Sequence, residues 1–391
     1  MTPAARVQTA IEILDDYLAG GAVEPLLTGW ARRSRYAGSG DRAAVRDHVF
    51  SALRNLRSFA ALGGAMSGRG LMLGALRAAG QDPEALFTGA RHAPAPLSEQ
   101  ERAGGHPSAA GAEELDLPDW LLPLMEHSLG PQAAPVARIL KQRAPVHLRV
   151  NARLADRETA ERLLRDEDIL TAPHPAADTA LEVHEGARRI RGTRAYREGL
   201  VELQDGASQA AVEALPLRDG VRVLDFCAGG GGKTLAMGAR ARVALFAHDA
   251  DAARMRDLPA RAARAQLEVE LLAPGRAGEH GPFDLVLCDV PCSGSGAWRR
   301  SPEGKWMLTP ARLAELGDIQ AAVLREAASL TAPDGVLAYM TCSVLDCENS
   351  AQADRFLDEN PAWRRLSCRS WSLLDGTDGF FLAQFDRKTT G

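Results

Sequence analysis

From residue 5 to 88, apolar positions return every three to four residues. Ile11, Leu14 and Leu18 share one face, and Val45, Val49, Leu53 and Leu56 share another, so the spacing predicts an all-helical segment. The rhythm stops over 89–116, an Ala/Pro/Gly/Ser/Glu-rich stretch without periodicity that reads as a linker. It resumes in two helical stretches, 119–129 and 133–142. It then changes to period two over 145–151, where Val146, Leu148 and Val150 alternate with polar residues as in a half-buried strand. A helix over 158–165 and short strands around 181–183 and 200–203 complete a small α+β unit.

Beyond residue 220 the pattern changes again. Short apolar runs at 221–226, 243–248, 267–272, 283–288 and 335–340 alternate with helical stretches at 233–242, 252–266, 310–330 and 349–360, and 380–385 can close the set. Strands alternating with helices in this way predict an α/β fold with a mostly parallel, doubly wound sheet. Two of the runs end alike. The run 283–288 leads into Asp289, Pro291 and a Gly/Ser-rich turn carrying Cys292; the run 335–340 leads into Thr341-Cys342-Ser343. Chemistry in open α/β sheets gathers at the carboxyl ends of strands. If these two strands are neighbours, Cys292 and Cys342 face each other across a pocket.

The stretch from Asp225 to Thr234, Asp-Phe-Cys-Ala-Gly-Gly-Gly-Gly-Lys-Thr, lies between a strand and a helix, where bare backbone N–H groups can approach a ligand. A phosphate loop of the G-x-x-x-x-G-K-[ST] type needs glycine at 227, and the chain has Cys227 there. Asp249 ends the next strand, 17 residues after Gly232, where an acid can take two ribose hydroxyls. A nucleoside cofactor therefore fits better than a phosphate-loop nucleotide, although both stay open.

A net charge of −5 over 391 residues argues against a generally basic nucleic-acid coat; any polyanion site has to be a local patch. Of 46 basic residues only four are lysines, a bias that a GC-rich genome explains, and Lys233 and Lys305 fall inside motifs. Arginine clusters in the helical front (Arg32, Arg33, Arg35, Arg42, Arg46, Arg54, Arg57) and in the small unit (Arg188, Arg189, Arg191, Arg194, Arg197) read either as solvated faces or as phosphate contacts. No signal-peptide pattern and no apolar run of membrane-spanning length is seen, so the expectation is a cytoplasmic protein. Its six cysteines are then thiols, and none forms the C-x-x-C pair of a zinc site, so no metal is expected. Cys288, Cys347 and Cys368 read as inert.

The stretches DFCAGGGGKT, HDAD, FDLVLCDVPCSGSGAWRRSPEGKW and YMTCSVLDCEN resemble the S-adenosylmethionine-dependent RNA cytosine-5 methyltransferases of the RsmB/Sun/Nop family. Upstream, QRAPVHLRVN and GLVELQDGASQ resemble that family's small RNA-binding domain, and DRAAVRDHVFSALRNLRS resembles a NusB-type module. The resemblance implies a Rossmann-like class I methyltransferase domain over 206–391 and a small α+β RNA-binding domain over 117–205. Before them it implies the linker and, over 1–88, an all-α NusB-like RNA-binding domain.

It further implies methylation of cytosine C5 in 16S ribosomal RNA. Cys342 would be the nucleophile, Cys292 the thiol that helps release product, and Asp289 the acid that holds the base. The backbone of Cys227, Ala228, Gly229, Gly230, Gly231, Gly232 and Lys233 would cradle S-adenosylmethionine, with Asp249 on its ribose and Asp289 alongside. Arg300 and Lys305 would serve the substrate, Lys305 and Trp306 matching the family's KW. The partner expected is RNA, bound by a monomer without membrane or metal. Two positions depart from the family: Gly230 stands where it has proline, and Leu272-Ala273-Pro274 lacks the acid it places near the adenine. The competing readings are the same chemistry on transfer RNA, and a non-catalytic RNA-binding or assembly factor that keeps a methyltransferase shell.

Overall fold

The computed structural model describes residues 1–388. The chain forms two compact units: Met1–Arg143 together with Trp298–Met307, and Ala144–Ala297 together with the chain from Leu308 onward.

The first unit is helical. Its main helices are Pro3–Leu18, Val23–Arg33, Ser39–Arg54, Leu56–Gly63 and Gly68–Ala78. The first begins where Thr2 accepts the Ala5 N–H at 3.2 Å with Pro3 just inside, the usual chemistry of a helix start. Ile11, Leu14, Val45, Val49 and Leu53, the positions marked by the periodicity, are buried in one core. Helices Leu56–Gly63 and Gly68–Ala78 approach so closely that a Cβ at Gly63 would sit 1.8 Å from the Gly70 carbonyl oxygen. The stretch 89–116 carries a short helix, Glu99–Ala103, and buries Leu97 and Leu115. Buried Asp116 accepts the N–H groups of Arg57 and Ser58 at 2.8 and 2.9 Å and pairs with Lys141 at 2.7 Å. Through such ties residues 117–143 lie with the helical front.

The second unit holds two sheets. Strands β1 (Val146–Val150), β2 (Leu170–Pro173), β3 (Ala180–Glu185) and β4 (Val201–Leu203) form a small antiparallel sheet in the order β2-β3-β1-β4. Leu148, Val150 and Leu181 pack there against Ala160 and Leu164 of the helix Arg157–Arg165.

The large sheet contains β5 (Arg222–Asp225), β6 (Ala244–Ala247), β7 (Glu270–Leu271), β8 (Phe283–Asp289), β9 (Thr331–Thr341), β10 (Trp363–Trp371) and β11 (Phe380–Arg387). Their order is β10-β11-β9-β8-β5-β6-β7; β11 runs antiparallel to both its neighbours, and the others pair in parallel. Alternate residues of each strand belong to different cores. Leu224, Val286 and Leu337 face the helices Pro310–Leu330 and Ser350–Glu359, while Val223, Leu287 and Met340 face Gly206–Glu213 and Gly232–Arg240. Burial on both faces is what the continuous apolar runs imply. This is the Rossmann-like methyltransferase fold expected, with the strand order reversing at β5/β8, where such sheets bind ligands. Among the described residues no single helix is long and apolar enough to cross a membrane.

Candidate active site

Strands β8 and β9 are adjacent and parallel, with Cys288 opposite Tyr339 and Asp289 opposite Met340. Their polar turns therefore leave the sheet at the same rim. Cys292 Sγ lies 3.5 Å from Cys342 Sγ, van der Waals contact for two thiols. The contact with Cys342, together with burial, pushes the Cys292 thiol well up, and either sulfur can donate to the other.

Across the reversal point, the glycine turn leaves β5. Gly229 and Gly231 have φ of +50° and +76°, a region L side chains rarely adopt, and a Cβ at Gly231 would lie 2.2 Å from Leu258 Cδ1. Gly230 has no positive φ, so the backbone makes no demand for glycine at the position where the family has proline. The Gly229 N–H donates to Asp249 Oδ2 at 2.9 Å, which ties the turn to the end of β6. Asp249 also accepts the Asp251 N–H at 3.0 Å and pairs with Arg254 at 3.1 Å. Ala228 is largely buried, and Gly232 opens the helix Gly232–Arg240. Burial, with nearby Asp225, pushes the Cys227 thiol up, so it is an uncharged wall of the turn.

Lys233 reaches across to the end of β8. Its Nζ donates to Asp289 Oδ2 at 2.6 Å and lies 4.9 Å from the centre of the Phe380 ring. Burial alone would lower the Lys233 pKa, but the Asp289 charge, the hydrogen bond to it and the field of Cys342 together raise it. An ammonium thus stands beside the acid and the thiol expected to act. Asp225, 1% exposed at the end of β5, accepts the Thr234 hydroxyl at 2.6 Å. Burial, only partly offset by that hydrogen bond, pushes its carboxyl up to about 7.

Other residues at this rim escaped the sequence reading. Buried Glu348 accepts hydrogen bonds from the residues following both thiols, the Ser293 N–H at 2.8 Å and the Ser343 hydroxyl at 2.6 Å. Arg149 of β1 donates to the Gly232 carbonyl at 2.8 Å and so holds the small sheet against the glycine turn. Glu348 falls inside the stretch YMTCSVLDCEN, and Arg149 inside PVHLRVN, but nothing in spacing gives either a partner.

Arg300 and Lys305 lie in the segment that belongs to the first unit. Arg300 is exposed there. Lys305 is 1% exposed, donates to the Arg54 carbonyl at 3.1 Å and stacks its ammonium 4.7 Å from the centre of the Trp306 ring. The Trp306 indole N–H donates to the Leu53 carbonyl at 2.7 Å. In this structure the KW pair anchors its own unit and Lys305 presents no charge to the surface.

The turn's geometry fits a nucleoside cofactor: bare backbone at Gly229 and Gly231, and a buried carboxylate at the end of the next strand. The family model for 16S rRNA methyltransferase RsmB/F matches residues 212–386, and that for the ferredoxin-like domain of RsmF/B-like methyltransferases matches 117–188. The chain belongs to the RsmB/F methyltransferase family. It is similar to ribosomal RNA small subunit methyltransferase B of Vibrio cholerae, 31% identical over 284 residues, which are 69% of this chain and 65% of that protein. The same-named protein of Yersinia pestis is 32% identical over 286 residues, 69% of this chain and 66% of that one. The chain thus spans about 65% of the length of the curated relatives it matches.

The fold is shared with the crystal structure of PH0851, at a TM-score of 0.76, 20% identity and 99% coverage of each chain. NSun6 from Pyrococcus horikoshii with SFG matches at a TM-score of 0.61 and 15% identity, over 69% of this chain and 98% of that one. At these identities the likeness is one of fold.

Proposed function

We propose that this chain is an S-adenosylmethionine-dependent RNA cytosine-5 methyltransferase, with small-subunit (16S) ribosomal RNA as its substrate. The observation that carries the reading is the pair of thiols in contact at one sheet rim, beside a Lys233–Asp289 ion pair. The names of the curated relatives support the choice of RNA.

Cytosine C5 is a weak nucleophile. A thiolate adding to C6 forms a carbon–sulfur bond and makes C5 an enamine carbon. Cys342 is assigned this addition. The Lys233 ammonium stabilises negative charge near its sulfur. Charge displaced onto ring N3 is compensated by the Lys233 ammonium, which stays 2.6 Å from Oδ2 of Asp289, the acid assigned to hold the base. The glycine turn and Asp249 would hold S-adenosylmethionine, which supplies the methyl group when bound. After transfer, the C5 proton is lost to water, its C–H electron pair re-forms the C5–C6 double bond, and the Cys342–C6 bond breaks with its electron pair returning to sulfur. Cys292, in contact with that sulfur, assists the departure.

Bisulfite sequencing of total RNA from a deletion strain beside its parent tests the reading. Loss of one 5-methylcytosine in 16S ribosomal RNA is expected. Loss from a transfer RNA instead would move the substrate, and an unchanged RNA profile would favour a non-catalytic factor.

A further inference from the structure

Glu348 is 1% exposed, yet its carboxylate has four hydrogen-bond donors. Oε1 accepts the Ser293 N–H at 2.8 Å and the Gln320 side-chain N–H at 3.1 Å. Oε2 accepts the hydroxyls of Ser293 and Ser343, the latter at 2.6 Å. Four donors fill the acceptor capacity of a carboxylate. Ser293 directly follows Cys292 and Ser343 directly follows Cys342. One side chain therefore grips the residue next to each thiol.

Glu348 is itself held. Its carbonyl accepts the Tyr339 hydroxyl at 2.6 Å, and neighbouring Asn349 donates to the Ser343 carbonyl at 2.9 Å. The Ser343 hydroxyl also receives the Leu345 N–H at 3.0 Å and lies 2.8 Å from the Ser295 hydroxyl, which receives the Val344 N–H at 2.9 Å. The two thiol-bearing turns are thus joined through one buried charge and, beside it, by the Gly296 N–H donating to the Cys342 carbonyl at 2.9 Å. Burying a carboxylate is costly unless its hydrogen bonds are complete. Placing that charge between two turns makes their separation depend on it. Its negative field also adds to the influences that keep Cys292 protonated.

We propose that Glu348 is a positioning residue that sets the Cys292–Cys342 sulfur separation through Ser293 and Ser343, and so governs the steps that need both sulfurs on one pyrimidine. The catalytic half of this inference rests on the function proposed above; the geometric half does not.

The test therefore has two readouts on the full-length protein. The first is the rate at which dibromobimane, a short reagent that bridges two nearby thiols, joins Cys292 to Cys342, followed by mass spectrometry of the bridged peptides. The second is methyl transfer to 16S ribosomal RNA with kcat and KM measured separately. Glu348→Ala should slow bridging at least tenfold. Because a misplacement of about 1 Å can cost about 100-fold in rate, kcat should fall by about that factor while KM for the methyl donor stays within about twofold. Glu348→Gln should lie between alanine and the parent, because its carbonyl can still accept the two N–H donors and the serine hydroxyls can rotate to accept its NH2 group. Ser343→Ala, which leaves the carboxylate in place and cuts one arm, should slow bridging in the same direction even if Glu348→Ala does not fold.

Bridging at the parent rate in folded Glu348→Ala, or in Ser343→Ala, overturns the positioning role. If the parent transfers no methyl group but bridging still depends on Glu348, the proposed function fails and the clamp stands.

Discussion

A lysine buried to 1% exposure beside a tryptophan makes a quantitative forecast possible. Burial, aided by Lys141 and Arg54, lowers the Lys305 pKa from 10.5 to about 7 despite the attraction of Asp116. Below pH 7 the folded chain carries the desolvated charge; between pH 7 and 10.5 the unfolded chain binds a proton that the folded chain does not, so this group's contribution to stability rises with pH. At about 1.4 kcal/mol per unit, the burden below pH 7 is about 5 kcal/mol. Lys305→Met keeps the length of the side chain and removes the charge. It also loses the hydrogen bond to the Arg54 carbonyl, worth about 0.5–1.5 kcal/mol to the neutral amine that is the reference for this burden. A net gain of about 3–4 kcal/mol is expected at pH 6, shrinking to less than about 1 kcal/mol by pH 9.5. Thermal unfolding of variant and parent, followed by tryptophan fluorescence from pH 6 to 9.5, measures it. An offset in midpoint that is constant across this range would refute the reasoning. RNA affinity weakened with no pH-dependent offset would return Lys305 to the substrate-binding role that its motif suggests.

Two further predictions concern the cofactor side of the sheet. Asp225, with its carboxyl pushed up to about 7, favours folding in its protonated form, so its contribution falls as pH rises from about 4 to about 7, by up to about 4 kcal/mol. Asp225→Asn, which can still accept the Thr234 hydroxyl, should remove that slope from denaturation curves taken between pH 4.5 and 7.5; an unchanged slope contradicts the assignment. Arg254 pairs with Asp249, the carboxylate assigned to the ribose, at 3.1 Å. Breaking an ion pair with such an exposed arginine costs at most about 1 kcal/mol, so Arg254→Ala should tighten S-adenosylmethionine binding by about two- to fivefold in calorimetry. Weaker binding would mean that Arg254 itself contacts the cofactor.

What could be read without coordinates was what the local pattern encodes. The apolar runs of β5, β6, β8 and β9 and the helix Pro310–Leu330 stand out because both faces of the sheet are buried and each run is bounded by polar turns. The meeting of Cys292 and Cys342 followed from one assumption, that β8 and β9 are neighbours, and their pairing satisfies it. Strand β10 was illegible. It lies at the sheet edge, its mixed sequence WRRLSCRSW buries little, and exposed charges on an edge look like loop. Strand β2, four half-exposed residues ending in proline, failed for a similar reason.

The site's supporting residues were hidden by distance along the chain. Glu348 acts on a turn 55 positions away, and Arg149 on a carbonyl 83 positions away. Lys305 shows the converse: a rare lysine inside a recognisable motif suggested a ligand, and nothing in its spacing signalled the contacts it makes with the Arg54 carbonyl and the Trp306 ring of its own unit.

The central claim is that two touching sulfurs act on one base, and Cys292→Ala tests it most directly. Incubated with S-adenosylmethionine and unmodified 16S ribosomal RNA, that variant should accumulate a protein–RNA adduct that survives denaturing electrophoresis and maps by mass spectrometry to Cys342. The adduct should vanish when Cys342→Ala is added. Continued turnover without any adduct, or an adduct that persists in the double variant, would contradict the account.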